Sequence, residues 1–329
     1  MIRYLKYLVV KRIPIFLSIL VMMLLVVTLE NRGVSNSYLN HKELAEKLEG
    51  IFTSLGIVAI ISFFAVTIYE FSFKMRKVSV DQAYSFPIKR ERYYLTRFIM
   101  GYLEVIIPLT ISFIVGISIY MINNGSDIER PSIILIEYIM YVVGGLLFYS
   151  YIVFFYIQAN NVIDGLVTVG MAIVSPLLLS LMIDEVFDLG SNKAFLIFDL
   201  VTYLDRPLAE YAVSGSEFML CENPIYFMIT IVLGVLAFIS MFFLPKYFRS
   251  EDCGQKSNSV ACYMILFPVM MVSMSYLWTY SVVMCLMLMV VTYLGYALYR
   301  RSFLLDKIYW IVFAGVSAID LVAFFGRLH

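Results

Sequence analysis

Nine stretches of this chain run for 17 to 25 residues with almost no charge: 13–29, 51–69, 99–122, 133–157, 163–183, 225–244, 263–280, 282–299 and 308–325. Each is long enough to cross the hydrocarbon of a bilayer, which takes about 20 apolar residues in a helix. A water-soluble core has no way to bury nine such segments. With no water in the hydrocarbon, each segment must satisfy its own backbone polar groups, so it is expected to be helical. Composition agrees: 62% of residues are hydrophobic and 15% are charged, where a soluble domain carries roughly 25% charge. The expected fold is all-α, a polytopic membrane protein of about nine transmembrane helices.

The seventh and eighth segments form one nearly unbroken run of 37 residues, 263–299. As a single helix it would be roughly 55 Å long, too long for one crossing, so a tight hairpin near 279–282 is expected.

Basic residues set the orientation. The segment 70–98, between the second and third spans, carries Lys74, Arg76, Lys77, Lys89, Arg90, Arg92 and Arg97 against Glu70, Asp81 and Glu91. Such a loop stays on the cytoplasmic side. With the N-terminus also inside, inward segments hold 17 of the 24 Lys and Arg residues, whereas acids lie 6 inside, 14 outside and 4 within spans. The formal net charge of zero therefore conceals an asymmetry across the membrane, and it offers nothing to nucleic acid. The location expected is a membrane, crossed many times.

At the N-terminus Arg3, Lys6, Lys11 and Arg12 precede a 17-residue apolar stretch with no small-x-small site after it, which reads as a retained anchor rather than a cleaved leader. On a helical wheel Arg3, Lys6, Tyr7 and Lys11 share one face and Ile2, Leu5, Leu8 and Val9 the other. That pattern suits an interfacial helix, or equally a basic region that only sets orientation.

Polar chemistry is sparse. No two of Cys221, Cys253, Cys262 and Cys285 share an oxidising compartment in this topology, so no disulfide is expected. Neither the cysteines nor His41 and His329 have metal-site spacing. The chain lacks GxxxxGK[ST], GxSxG and HExxH, and it has no paired carboxylates at a water-facing site. It is read as a non-enzyme without cofactor or metal. Glu104, Glu137, Asp164 and Asp320 fall within spans, where carboxylates are functional candidates by default. All four are shallow, Glu104 and Asp320 about 7 to 8 Å from an interface, and no Lys or Arg is expected to lie buried opposite them. They are read as structural, snorkelling or bonded to neighbouring helices.

Pro108, Pro176 and Pro268 lie inside spans as kinks or helix breaks, and Asn223-Pro224 looks like the start of the sixth span. Ser112 with Gly116, and Ala314 with Ala318, offer small faces for close helix approach. The outer loop 184–224 holds eight acids against Lys193 and Arg206, around an apolar stretch, 194–204, that is too short to span. It reads either as a lid over the bundle or as an acidic vestibule for cationic molecules.

Ser85-Phe86-Pro87-Ile88-Lys89-Arg90, followed by Tyr94, Arg97, Gly101 and Pro108, resembles the S-L-P-I-K-R segment between the second and third spans of bacterial ABC exporter permeases, with Phe86 for the usual Leu. Arg249-Ser250-Glu251-Asp252-Cys253-Gly254 is similar to an R-x-S-E-x-A-G segment in the subgroup tied to cell-envelope stress and antimicrobial peptide export. Here it is one residue shorter, with Cys for Ala. The resemblance implies a six-span core over 1–245, with coupling loop 70–98 and outer loop 184–224. It also implies a C-terminal extension, 246–329, of about three further spans.

In such permeases ATP is hydrolysed by a separate cytoplasmic ATPase subunit, and the permease pairs with a second copy or a paralogue. The resemblance implies a short helix around 79–84 seated in a groove of the ATPase. Asp81, Gln82, Tyr84, Ser85, Phe86, Pro87, Lys89, Arg90 and Arg92 would be the coupling residues. Lys89, Arg90 and Arg92 would also reach anionic lipid headgroups, each worth about 1 kcal/mol near the surface. The expected activity is export of a peptide or an amphipathic, lipophilic substrate. The alternatives are an ion-coupled secondary transporter or a non-transporting envelope-stress or immunity subunit of the same fold.

Overall fold

In a computed structural model of the protein the described residues are 2–31, 41–85, 89–124, 131–187, 224–246, 248, 253, 261–278, 282–300, 303–304 and 306–327. Every regular element among them is helical. In chain order they are α1 (Ile2–Asn31), α2 (His41–Phe71), a 3₁₀ turn (Ser72–Met75), α3 (Lys77–Tyr84), α4 (Arg90–Asn124), α5 (Pro131–Gln158) and α6 (Val162–Phe187). There follow α7 (Pro224–Phe243), a 3₁₀ turn (Leu244–Lys246), a π turn (Ala261–Leu266), α8 (Phe267–Trp278), α9 (Val282–Arg300) and α10 (Lys307–Arg327). Five windows are long and apolar enough to cross a membrane: Arg12–Glu30, Gly50–Met75, Arg90–Ile119, Tyr141–Gln158 and Val162–Ile183. Shorter apolar helices cover Ile231–Lys246, Tyr263–Leu277, Cys285–Ala297 and Lys307–Ile319. This is a multi-pass helical membrane protein.

Local sequence explains several boundaries. α7 opens on Pro224, whose missing N–H costs nothing at a first helical position. The run 263–299 is helical up to Trp278 in α8 and from Val282 in α9, and the expected hairpin near 279–282 falls largely on 279–281, outside the described residues. Pro108 and Pro176 lie within unbroken α4 and α6, as does Pro14 within α1, while Pro268 is the second residue of α8, just after the π turn. Buried hydroxyls stay inside their own helices: Thr67 donates to the Phe63 carbonyl at 2.8 Å and Ser150 to that of Leu146 at 2.6 Å. The N-terminal basic segment is continuous with the first span in α1, not a separate interfacial element.

The chain divides into two units. The first holds residues 1–73, 78–154 and 198–248. In it α1 packs on α2 and α4, and α2 packs on α4. Gly116 faces Val27 of α1 and Ile51 of α2, but a Cβ there would sit 3.5 Å from each, an ordinary contact, so the approach does not require a glycine. Phe63, Phe98, Tyr102 and Tyr149 build an aromatic core, with the Phe98 and Tyr149 rings 4.9 Å apart. Phe238 of α7 joins it against Phe98 at 5.9 Å.

The second unit holds 74–77, 155–197 and 249–329. α8 packs on α6 and α10 around Phe267, Met271, Tyr296 and Val316. The Phe267 and Tyr296 rings meet edge to face at 5.1 Å, and a side chain at Gly295 would run into Phe267. Ala314 and Ala318 of α10 are exposed, and a Cβ at Gly315 would meet nothing within 4 Å. In both units long apolar side chains point outward, among them Leu17, Val21 and Leu25 of α1 and Leu286, Met287 and Val290 of α9, as lipid-facing surfaces require.

Candidate functional site

The segment between the second and third apolar helices is shorter than the loop 70–98 expected. α2 continues through Phe71 and α4 begins at Arg90, so Glu70 and Arg90–Phe98 are helical and only the stretch between them links the two. That stretch contains α3, which covers the helix expected around 79–84 and extends it back to Lys77. α3 is two-faced. Val80 and Ala83 are buried, whereas Lys77, Asp81 and Gln82 are exposed together with Val78, which is 81% exposed. Its end is closed by Ser85, whose N–H donates to the Asp81 carbonyl at 3.0 Å and whose hydroxyl donates to the Gln82 carbonyl at 2.8 Å.

Tyr84 lies under the Arg90 guanidinium, 4.3 Å from ring centre to carbon, and Arg90 also donates to the Phe248 carbonyl at 2.9 Å. Lys89 and Arg92 are exposed. Lys89 sits just before α4, its carbonyl accepting from the Tyr93 N–H at 3.1 Å. Glu91 and Lys246 form an exposed pair at 3.8 Å. Phe86 and Pro87 lie outside the described residues. The arrangement thus joins Tyr84 to Arg90 and leaves Asp81, Gln82, Lys89 and Arg92 on the surface.

Behind this surface the first unit holds a buried group of four charges. Arg12 of α1 is 4% exposed; its guanidinium pairs with Glu70 of α2, which is fully buried, and bonds Glu104 of α4 at 3.2 Å. Arg97 of α4 lies 3.7 Å from the Glu70 carboxylate and donates to the Glu70 carbonyl at 2.9 Å. Aromatic faces cover the cations, Tyr69 over Arg12 at 5.0 Å and Phe73 and Tyr93 over Arg97 at 4.3 and 4.9 Å. Two cations and two anions from three helices cancel, which is how a charge group survives away from water. The expectation that no Lys or Arg is buried opposite Glu104 is therefore wrong. Arg12 stands at the head of the first apolar run, level with the end of α2, and its counterion on a third helix is invisible to a count made along the chain.

In the second unit Lys74 is also buried, 6% exposed. Its ammonium donates to the Ile157 carbonyl and, at 3.2 Å, to that of Ala159, at the C-terminal end of α5. The last carbonyls of a helix have no partners within it and carry partial negative charge, so a cation there is favourable. Of the seven cations placed on one loop, two are thus buried or largely so and committed to the fold, Lys74 and Arg97. Asp164 is half-buried in the first turn of α6. The side chains of Glu137 and Asp320 lie outside the described residues, as do Cys221, the acidic loop from 188 onward with its apolar stretch 194–204, and most of the 249–254 segment. Among the described residues no cluster of His, Cys, Asp or Glu could hold a metal ion. No protein-family model, curated protein or solved structure matches this chain.

Proposed function

We propose that this chain is the transmembrane permease subunit of a bacterial ABC exporter, crossing the membrane about nine times with its N-terminus inside. In this reading it moves a peptide or amphipathic substrate on work done by a separate ATPase. The observation that carries the reading is α3, a two-turn amphipathic helix between two long apolar helices, with Lys77, Val78, Asp81 and Gln82 outward and Val80 and Ala83 inward. A helix this short is not stable alone and needs tertiary support on its buried face. Its outward face is then available to a partner. The seating residues are Asp81, Gln82, Tyr84, Ser85, Phe86 and Pro87, with Lys89, Arg90 and Arg92 binding ATPase carboxylates or headgroups. A second permease copy or paralogue completes the pathway. Because Arg12, Glu70, Arg97 and Glu104 join α1, α2 and α4, a push on α3 moves those helices together.

Purification in mild detergent with the products of adjacent genes tests this: a Walker-motif ATPase should accompany the chain. Replacing Asp81-Gln82-Ala83-Tyr84 with Gly-Ser residues costs about 1 kcal/mol for each Gly in the helix and removes the contact side chains. The altered chain should insert and lose the ATPase; retention of coupled hydrolysis would remove α3 from the mechanism. Orientation is read separately, since an impermeant maleimide on intact cells should label Cys221 and spare Cys253.

The buried charge group favours one second reading, ion-coupled transport through Glu104. Glu104→Gln that expresses normally yet abolishes transport would select it over the ATP-driven reading.

A further inference from the structure

We infer that Lys74 is a positioning residue that latches the start of the α2–α4 connection onto the corner between α5 and α6, so that movement of α3 is carried to α6. The inference rests on the reading of α3 as the partner-binding helix. Lys74 follows α2 by three residues and precedes α3 by three. Its ammonium closes the end of α5 through the Ile157 and Ala159 carbonyls, both residues being fully buried. The next residue, Met75, is buried against the first turns of α6: a Cβ at Gly165 would lie 3.2 Å from the Met75 methyl and 2.8 Å from the Tyr156 ring. Only a residue without a side chain lets Met75 and Tyr156 approach α6 this closely.

The corner itself is short. Ala159 donates to the Tyr156 carbonyl at 3.2 Å, Gly165 to that of Asn161 at 2.9 Å, and α6 starts at Val162. Lys74 therefore holds the last turn of α5 and Met75 the first turns of α6, on a segment that continues directly into α3. Residues 74–77 group with 155–197, while the chain on either side of them groups elsewhere. A connector held only by its two flanking helices would not show that pattern. A cation bridging two carbonyls is a directional tie, able to carry both pull and push along the chain, which an apolar contact at this position would not do.

The test compares the native full-length chain with Lys74→Met, which keeps the apolar stem and removes charge and donors, and with Lys74→Arg, which keeps both. Hydrogen exchange of the chain alone should be about tenfold faster over 157–165 in Lys74→Met, unchanged over 51–66, and restored toward native by Lys74→Arg. Equal protection over 157–165 in native and Lys74→Met chains would overturn the latch. Lys74→Gln, with a polar donor on a shorter stem, is read in the same way if the methionine chain does not accumulate.

In the complex with its ATPase, ATP and vanadate should change exchange over 157–165 in the native chain and leave it unchanged in Lys74→Met, which still co-purifies with the ATPase because α3's exposed face is intact. An identical nucleotide-driven change in both chains, or none in the native complex, would overturn transmission through Lys74. Absence of any co-purifying ATPase would refute the partner reading and transmission with it, while exchange in the chain alone still decides whether Lys74 holds the corner.

Discussion

The two units bury cations in different ways. In the first, Arg12 and Arg97 are matched by two carboxylates, drawn from three helices, and each member needs the others. In the second, Lys74 rests on peptide carbonyls, whose partial charge exists whatever the neighbouring side chains are. A matched group is fragile to single substitutions because removing one partner strands the rest in low dielectric, whereas a cation on carbonyls depends on one side chain and loses only its own bonds. The charge group should therefore govern whether α1, α2 and α4 stay together, and Lys74 only how one corner is held.

Arg12→Met would sharpen that contrast most, because it leaves Glu70 and Glu104 buried against a single remaining guanidinium. It should destabilise the protein by about 3–5 kcal/mol, read as a lower unfolding midpoint in detergent. A loss under about 1 kcal/mol would break the comparison. Adding Glu104→Gln to Arg12→Met should recover about 1–3 kcal/mol of that loss, since the two residues are directly bonded. Independent, additive effects would mean the group is not one unit.

Packing should cost somewhat less than charge. In Gly101→Val a Cβ meets Val66 at 2.9 Å and the Tyr149 hydroxyl, and the wedge between α2, α4 and α5 should cost about 1–3 kcal/mol in thermal unfolding. Lys74→Met should cost about 1–2 kcal/mol, confined to the corner that exchange reports. The smallest effect belongs to Lys246→Ala. Its partner Glu91 is 3.8 Å away and both are nearly half exposed, so the unfolding midpoint should move by at most about 0.5 kcal/mol in stability.

Apolar length made the helices readable, because about 20 apolar residues are what a crossing takes. α3 was readable only through the resemblance carried by 85–90, not from its own residues. The charge group was not. Arg12 reads as a topological signal and Glu70 as a loop acid so long as each is weighed only against its sequence neighbours, and their pairing over 58 and 92 residues comes from which helices pack together. Lys74 looks like any other loop cation, since a carbonyl partner leaves no mark in a sequence. The small faces divide as well: Gly116 is buried against α1 and α2, whereas Ala314 and Ala318, with identical spacing, face outward.

The reach of Arg12 to Glu104 also bears on how the protein is made. The partners are 92 residues apart, so at about 5–20 residues per second roughly 5–18 s separate the synthesis of one from that of the other. During that interval the first helix carries an uncompensated guanidinium, which would cost about 2.5–3.5 kcal/mol at the middle of the bilayer and far less near its edge. Arg12 heads its apolar run, where a long side chain can keep its charge in water. The helix can therefore enter the membrane early, with Arg12 still hydrated, and settle only after the third apolar helix has been translated.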